Sequence, residues 1–168
     1  MSEFDRLEFA EIAVAPVLAL QVAGQCGSDP KEIGPAIEAA FGQLAALIEE
    51  HALTPAGPPR SIYTSCDSQQ MEFIVAMPIA AAPDEAMEDA ARSIGTLPGG
   101  KTLRFTHRGP YSGLMETYGL ITQFMQAQGR MESEADWARY MPMWEEYLND
   151  PHTTPEAELL THIYLPVP

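Results

Sequence analysis

Hydrophobic and polar positions along the chain fall into two kinds of run, and their order predicts the elements. Residues 7–23, LEFAEIAVAPVLALQVA, are rich in aliphatic and β-branched side chains and read as a strand interrupted near Pro16. GQCGSDP then marks a turn. From Pro35 to His51 the apolar positions Ile37, Ala40, Phe41, Leu44, Leu47 and Ile48 recur at helical spacing, so an amphipathic helix is expected. TPAGPP at 54–59 ends it. RSIYTSC and MEFIVAMPI alternate as two strands joined across Asp67-Ser68-Gln69-Gln70.

The same order then returns. Residues 81–100 read as a linker, with a short strand around 92–97. KTLRFTHRG (101–109) reads as a strand, and residues 112–128 as a second helix with Leu114, Tyr118, Ile121 and Met125 on one face. RMESEADWARYMP (130–142) is an acidic connection. MWEEYLN and LLTHIYLPV are the last two strands, joined across Asp150–Glu158.

Each half is therefore β-α-β-β, and the halves also match in detail. LALQVAG (18–24) lies over LRFTHRG (103–109), SIYTSCD over EEYLND with Tyr63 on Tyr147, and EFIVAMPI over THIYLPV with Pro78 on Pro166, at an offset of about 85 residues. Neither half has core enough to stand alone. The expectation is one α+β domain over 1–168: tandem duplicated β-α-β-β units (about 7–80 and 101–168, linker 81–100) packed pseudo-symmetrically around a central ligand cleft.

The unusual stretch is MWEEYLND (143–150), two carboxylates between a tryptophan and a tyrosine in a strand, where Glu is disfavoured. Strand alternation sets Met143, Glu145, Tyr147 and Asn149 on one face and Trp144, Glu146 and Leu148 on the other. The Trp144 face reads as core, with Glu146 at an edge or in water. The Glu145 face reads as a cleft wall. A carboxylate beside a phenol can bind a cation, or act as a general base with the phenol as proton donor or oxyanion stabiliser. A solvent-washed strand face fits the same tripeptide.

Composition narrows the partners. The formal net charge of −15 repels nucleic-acid phosphates and anionic lipid, which argues against direct nucleic-acid binding and suits a cationic ligand, a basic protein partner, or solubility alone. No basic stretch precedes an apolar run at the start, and no run approaches a membrane span, so the expected location is cytoplasmic. Cys26 and Cys66 are lone thiols, and no HExxH, CxxC or close His pair occurs, so neither a metal site nor a cofactor is expected. Gly99-Gly100-Lys101-Thr102 lacks the earlier glycine of a phosphate loop and precedes a strand rather than a helix.

Glu145-Glu146-Tyr147-Leu148-Asn149-Asp150-Pro151, followed by Glu158-Leu159-Leu160-Thr161 and a closing Pro166-Val167, resembles the signature of the gyrase-inhibitor-like (GyrI-like) family, seen also as the effector-binding half of multidrug-sensing transcription activators. Gly109-Pro110-Tyr111 and the two-half layout fit as well. The resemblance implies binding of bulky, hydrophobic, aromatic, often cationic small molecules, with Glu145 in the pocket and aromatic side chains around it. Some similar free-standing proteins hydrolyse cyclopropane-bearing electrophiles, which for this chain would make Glu145 and Tyr147 the catalytic pair. The DNA-binding domain of the activators has no room outside the two halves, so a sensing role would need a separate protein partner. A homodimer, or an acidic surface masking a basic partner such as a topoisomerase, are the remaining expectations.

Other residues divide between wall and core. Tyr63, equivalent to Tyr147, is either an aromatic wall or a core tyrosine, and Ser61 stands where Glu145 would be. Tyr111 either caps the cleft or packs at a helix start. Trp137 either anchors the acidic connection or lines the cleft mouth. Met143 suits an adaptable pocket or ordinary core, and Phe105 is counted with the ligand walls. His107 and His162 read as structural strand residues.

Overall fold

A computed structural model describes residues 7–83 and 91–168. The middle of the expected linker, 84–90, lies outside the described residues. The expected strand over 7–23 is two strands, β1 (Glu8–Val14) and β2 (Val17–Gly27), broken at Ala15-Pro16 where proline cannot donate to a ladder. Helix α1 runs Pro30–Glu50 and so begins before Pro35. Asp29 caps it by accepting from the Lys31 amide, with Pro30 in the first position. That Asp-Pro pair is a stronger start signal than Pro35, which sits inside the helix. Strands β3 (Arg60–Cys66), β4 (Gln70–Pro78), β5 (Arg92–Leu97) and β6 (Gly100–Arg108) follow. A 3-10 turn at Tyr111–Gly113 opens α2 (Leu114–Ala127), and β7 (Met143–Tyr147) and β8 (Leu160–Pro166) complete the chain. The acidic connection is not plain loop. It holds a 3-10 helix, Glu134–Tyr140, whose start is tied by the Asp136 carboxylate accepting the Glu132 and Ser133 amides.

The strands form an antiparallel sheet of order β1-β6-β8-β7-β3-β4-β2-β5. Its centre is the β3–β7 pair, where Ser61 faces Glu145 and Tyr63 faces Met143. Read outward, β3-β4-β2-β5 mirrors β7-β8-β6-β1, which is the pseudo-twofold duplication expected for an α+β chain of two equivalent units. The ladder places Ala19 opposite Pro78 and Thr102 opposite Pro166. With the two prolines equivalent, Leu20 corresponds to Leu103 rather than to Phe105. The slip is two residues, so every side chain keeps its face.

The outer strands were the least legible part of the layout. β1 pairs with β6 of the other half, and β5 with β2. Val14 faces Gly100 and Val17 faces Leu97 on either side of two short links, so a kinked ribbon carries the sheet round from one half to the other. Gly99 stands at that kink. A Cβ there would lie 2.2 Å from the Val14 carbonyl oxygen and 2.8 Å from the Pro16 nitrogen.

Both helices cover one face. Ile37, Ala40, Leu44 and Leu47 of α1 pack on Leu20, Val22, Phe73 and Val75, and Ile121 and Met125 of α2 pack on Leu103, Phe105, Ile163 and Leu165. Tyr63 packs against both cores and joins them. The helix-free face is buried too: Ala19, Ile62, Ala76, Leu97, Trp144 and Tyr164 form a third cluster inside the bend of the sheet. Among the described residues no helix is long and apolar enough to cross a membrane.

Candidate functional site: a carboxylate held by phenols

Glu145 sits at the pseudo-twofold centre, on the helix-covered face, 4% exposed. Its carboxylate is met by hydroxyl groups from three elements. Tyr63 of β3 donates to Oε1 at 3.1 Å, and Tyr147 of β7 to the same oxygen at 2.7 Å. Tyr118 of α2 donates to Oε2. The Tyr147 hydroxyl also lies 2.9 Å from Ser61 Oγ. A phenol has one proton, and an ionised carboxylate only accepts, so Tyr147 donates to Glu145 and accepts from Ser61.

Rings surround this cluster. Phe41 of α1 meets Tyr147 edge-on at 5.8 Å between centroids, and Tyr111 meets Tyr147 at 5.4 Å. Trp137 packs on Tyr118 at 5.7 Å and donates its indole N–H to Thr122 at 3.0 Å. His107, buried under the start of α2, places Nδ1 2.7 Å from the Thr117 hydroxyl and Nε2 2.9 Å from the Pro110 carbonyl. The carbonyl can only accept, so Nε2 carries the proton, and the ring pins the turn that presents Tyr111.

Electrostatics follows from burial. Desolvation, and then the Glu145 charge beside them, hold the Tyr63, Tyr118 and Tyr147 phenols well above the usual tyrosine range. Desolvation raises Tyr111 as well, with Asp150 and then Glu145 adding to it. From about pH 10 upward the unfolded chain releases phenolic protons that the folded chain keeps. Stability is therefore expected to be full below pH 10 and to fall as pH rises through the folded values. Urea midpoints at about pH 8, 10 and 11, with tyrosinate absorbance recorded beside them, check this. Three phenols that ionised at ordinary pH without unfolding would contradict it.

The sequence-derived residues distribute as follows. Glu145, Tyr147 and Tyr63 come together in one hydrogen-bonded cluster, and Tyr111 and Trp137 reach it through ring contacts. Met143 is buried with Met131 and Tyr140 in the α2 core, on the Glu145 face but against Tyr63. Phe105 is fully buried two strands from Glu145, packing on Phe9 and Phe124. Two members of the cluster lie outside the expected set. Tyr118 reads in sequence as part of an apolar helix stripe, yet a phenol in such a stripe needs a partner for its hydroxyl, and that was the available signal. Phe41 carries no signal beyond periodicity.

The Glu146 expectation needs correcting. It is neither at an edge nor in water. On the helix-free face it lies 3.7 Å from Arg60 Nε, and Tyr164 reaches it at 3.4 Å. Nor is Glu145 unpaired: neutral donors hold it in place of a cation. An acceptor-only carboxylate ringed by neutral donors and aromatic faces favours a positive charge placed beside it.

Comparison with known proteins gives a consistent frame. The family model described as the GyrI-like small molecule binding domain matches residues 15–168. Among solved structures, the C-terminal domain of EcmrR superposes with a TM-score of 0.73 at 14% identity, covering 97% of this chain and 98% of that one. In the cryo-EM structure of the EcmrR–DNA complex the chain matches at 13% identity and TM-score 0.73, with 95% of its own length but only 57% of that protein's. The structure of SAV2435 bound to tetraphenylphosphonium matches with TM-score 0.64 at 12% identity, covering 96% of this chain and 94% of that one. Among curated proteins none matches.

Proposed function

The chain belongs to the GyrI-like family of small-molecule-binding domains, and from that membership we propose that it takes up bulky aromatic cations at Glu145, between α1 and α2. The observation that carries this reading is the buried Glu145 carboxylate, whose hydrogen-bond partners are neutral phenols. Burying a carboxylate costs several kcal/mol, and neutral donors offset only part of that, whereas an organic cation supplies the missing charge without demanding water. Tyr63, Tyr147, Tyr111, Phe41, Tyr118 and Trp137 supply ring surface at the same place, and a desolvated cation against aromatic faces gains about 2 kcal/mol. The net charge of −15 attracts such a ligand at a distance. That the similar SAV2435 is seen with tetraphenylphosphonium supports the class of ligand.

Phenol hydroxyls already occupy both oxygens of the Glu145 carboxylate, and two cavities of about 430 and 440 Å³ are lined by other residues. On this reading a bulky cation that reaches the carboxylate displaces at least one phenol from Glu145. The test separates charge from shape. Titrated calorimetrically, the protein is expected to bind tetraphenylphosphonium and to reject tetraphenylborate, an anion of nearly the same shape. Equal affinity for both would reduce the site to a hydrophobic cleft and remove Glu145 from the account.

A further inference from the structure

The helix-free face carries polar chemistry that the Glu145 site leaves unused. Across β3, β7, β8 and β6 the register aligns Arg60 with Glu146, Glu146 with His162, and His162 with Thr106, while Arg104 faces Tyr164. Among the described residues, buried side-chain polar atoms without a hydrogen-bond partner are Arg60 Nε, Arg104 Nε, Trp144 Nε1, His162 Nδ1 and Thr161 Oγ1. All but Thr161 lie on this face, and all four are nitrogens suited to donate. Buried donors of this kind normally have an acceptor, whether protein, water or a bound group. Glu146 is the nearest carboxylate, yet it stands 3.7 Å from both Arg60 Nε and His162 Nδ1, beyond hydrogen-bond range.

Arg104 and His162 also line a cavity of about 430 Å³, together with Glu8, Phe9 and Ala10 of β1, Thr106 and Arg108 of β6, and Leu160 of β8. Arg108 and Glu8 neutralise one another at 3.0 Å. Arg104 takes part in no ion pair among the described residues. The cavity therefore keeps a net positive charge inside a chain of net charge −15. It is separate from the Glu145 site, since Glu145 and the strand residues Arg104, Thr106 and His162 lie on opposite faces of the sheet.

We propose that this cavity binds a small oxyanion, a phosphate or carboxylate group, held by the Arg104 guanidinium with His162 and Thr106 as further donors. A guanidinium fork matches two oxygens of such a group, and the His162 ring, also in the lining, offers an N–H beside it. Burial, and then the charge of Arg104, push the His162 imidazole below its ordinary range, with Arg108 acting the same way and Glu8 opposing. A bound anion beside the ring reverses that balance and favours the imidazolium.

The experiment is a proton NMR titration of the His162 ring in the full chain, assigned from the missing signal in His162→Gln. It is run with inorganic phosphate and with acetate, at constant ionic strength set by sodium chloride. The expected result is a saturable shift with at least one of the two, together with a rise in the His162 pKa. Arg104→Gln is expected to weaken the effect at least ten-fold, Arg104→Lys to weaken it less, and Glu145→Gln to leave it unchanged. Arg104→Lys keeps the charge on the strand and so decides the matter if Arg104→Gln fails to fold. No shift beyond chloride with either anion, or an undiminished shift in Arg104→Lys and Arg104→Gln alike, would overturn the assignment.

Discussion

Glu145→Gln is expected to weaken tetraphenylphosphonium binding at least ten-fold, about 1.4 kcal/mol, and to abolish the preference for the phosphonium over the borate. The magnitude follows from where the charge sits. A unit cation about 4 Å from a carboxylate gains roughly 4 kcal/mol at the effective dielectric of a protein site. Part of that is lost because the ligand displaces phenol hydroxyls that had been bonded to the carboxylate, so a net loss of about 1.4 to 3 kcal/mol is expected for the variant. The fold should survive. The Gln carbonyl can still accept from Tyr63 and Tyr147, and Tyr118 can turn to accept from the amide, while the desolvation cost of a buried charge disappears. Calorimetry with both ions and a urea midpoint for each protein check the two halves of this expectation. Unchanged affinity in a folded variant would remove Glu145 from the site.

The largest stability effect is expected at a residue outside the Glu145 cluster. Gly99→Ala should cost about 3 kcal/mol or more, because the added Cβ meets backbone rather than a side chain that can move aside. The Val14 carbonyl oxygen would be 2.2 Å away and the Pro16 nitrogen 2.8 Å away. Relief requires shifting the ribbon where β1 passes to β2 and β5 to β6, and the pairing of both halves runs through that point. Gly42, inside α1 with nothing within 4 Å of its added Cβ, is the matched control. There the same substitution should stabilise by about 0.5–1 kcal/mol, since alanine restricts the unfolded chain and favours helix. Thermal or urea unfolding of the two variants should therefore move in opposite directions. A Gly99→Ala protein as stable as the parent would mean that the kink tolerates far more displacement than its contacts imply.

The proposed phenol cluster ties these observations to the chain's history as a duplication. Tyr63 and Tyr147 occupy equivalent places in the two halves, and Ser61 and Glu145 face each other across the pseudo-axis. One half therefore supplies the charge and the other a hydroxyl at the equivalent position. Substituting Ser61 changes the donor to Tyr147 without touching Glu145, which makes Ser61 a positioning residue on this reading.

Much of this is legible because burial imprints a period on the chain. The helical spacing of Ile37, Ala40, Leu44 and Leu47, and of Ile121 and Met125, follows from the single covered face of each helix, so both helices and their inner faces can be read from spacing alone. Strand alternation likewise separates Glu145 from Glu146. Periodicity is a local property, though, and the contacts that complete the candidate site are not local. That Tyr118 reaches Glu145 depends on how α2 lies over β6 and β8, and that Glu146 meets Arg60 and His162 depends on a register set across three strands. The exchange of β1 and β5 between halves, and the bend that buries Trp144 and Tyr164 with no helix above them, also leave no mark in sequence spacing. Alone, the residues determined both helices, most of the strands, the two-half layout and the face on which Glu145 lies, because spacing and order along the chain carry each of these. Only the tertiary structure decided which hydroxyls hold that carboxylate and where unpaired positive charge collects, because those pairings join residues far apart in the chain.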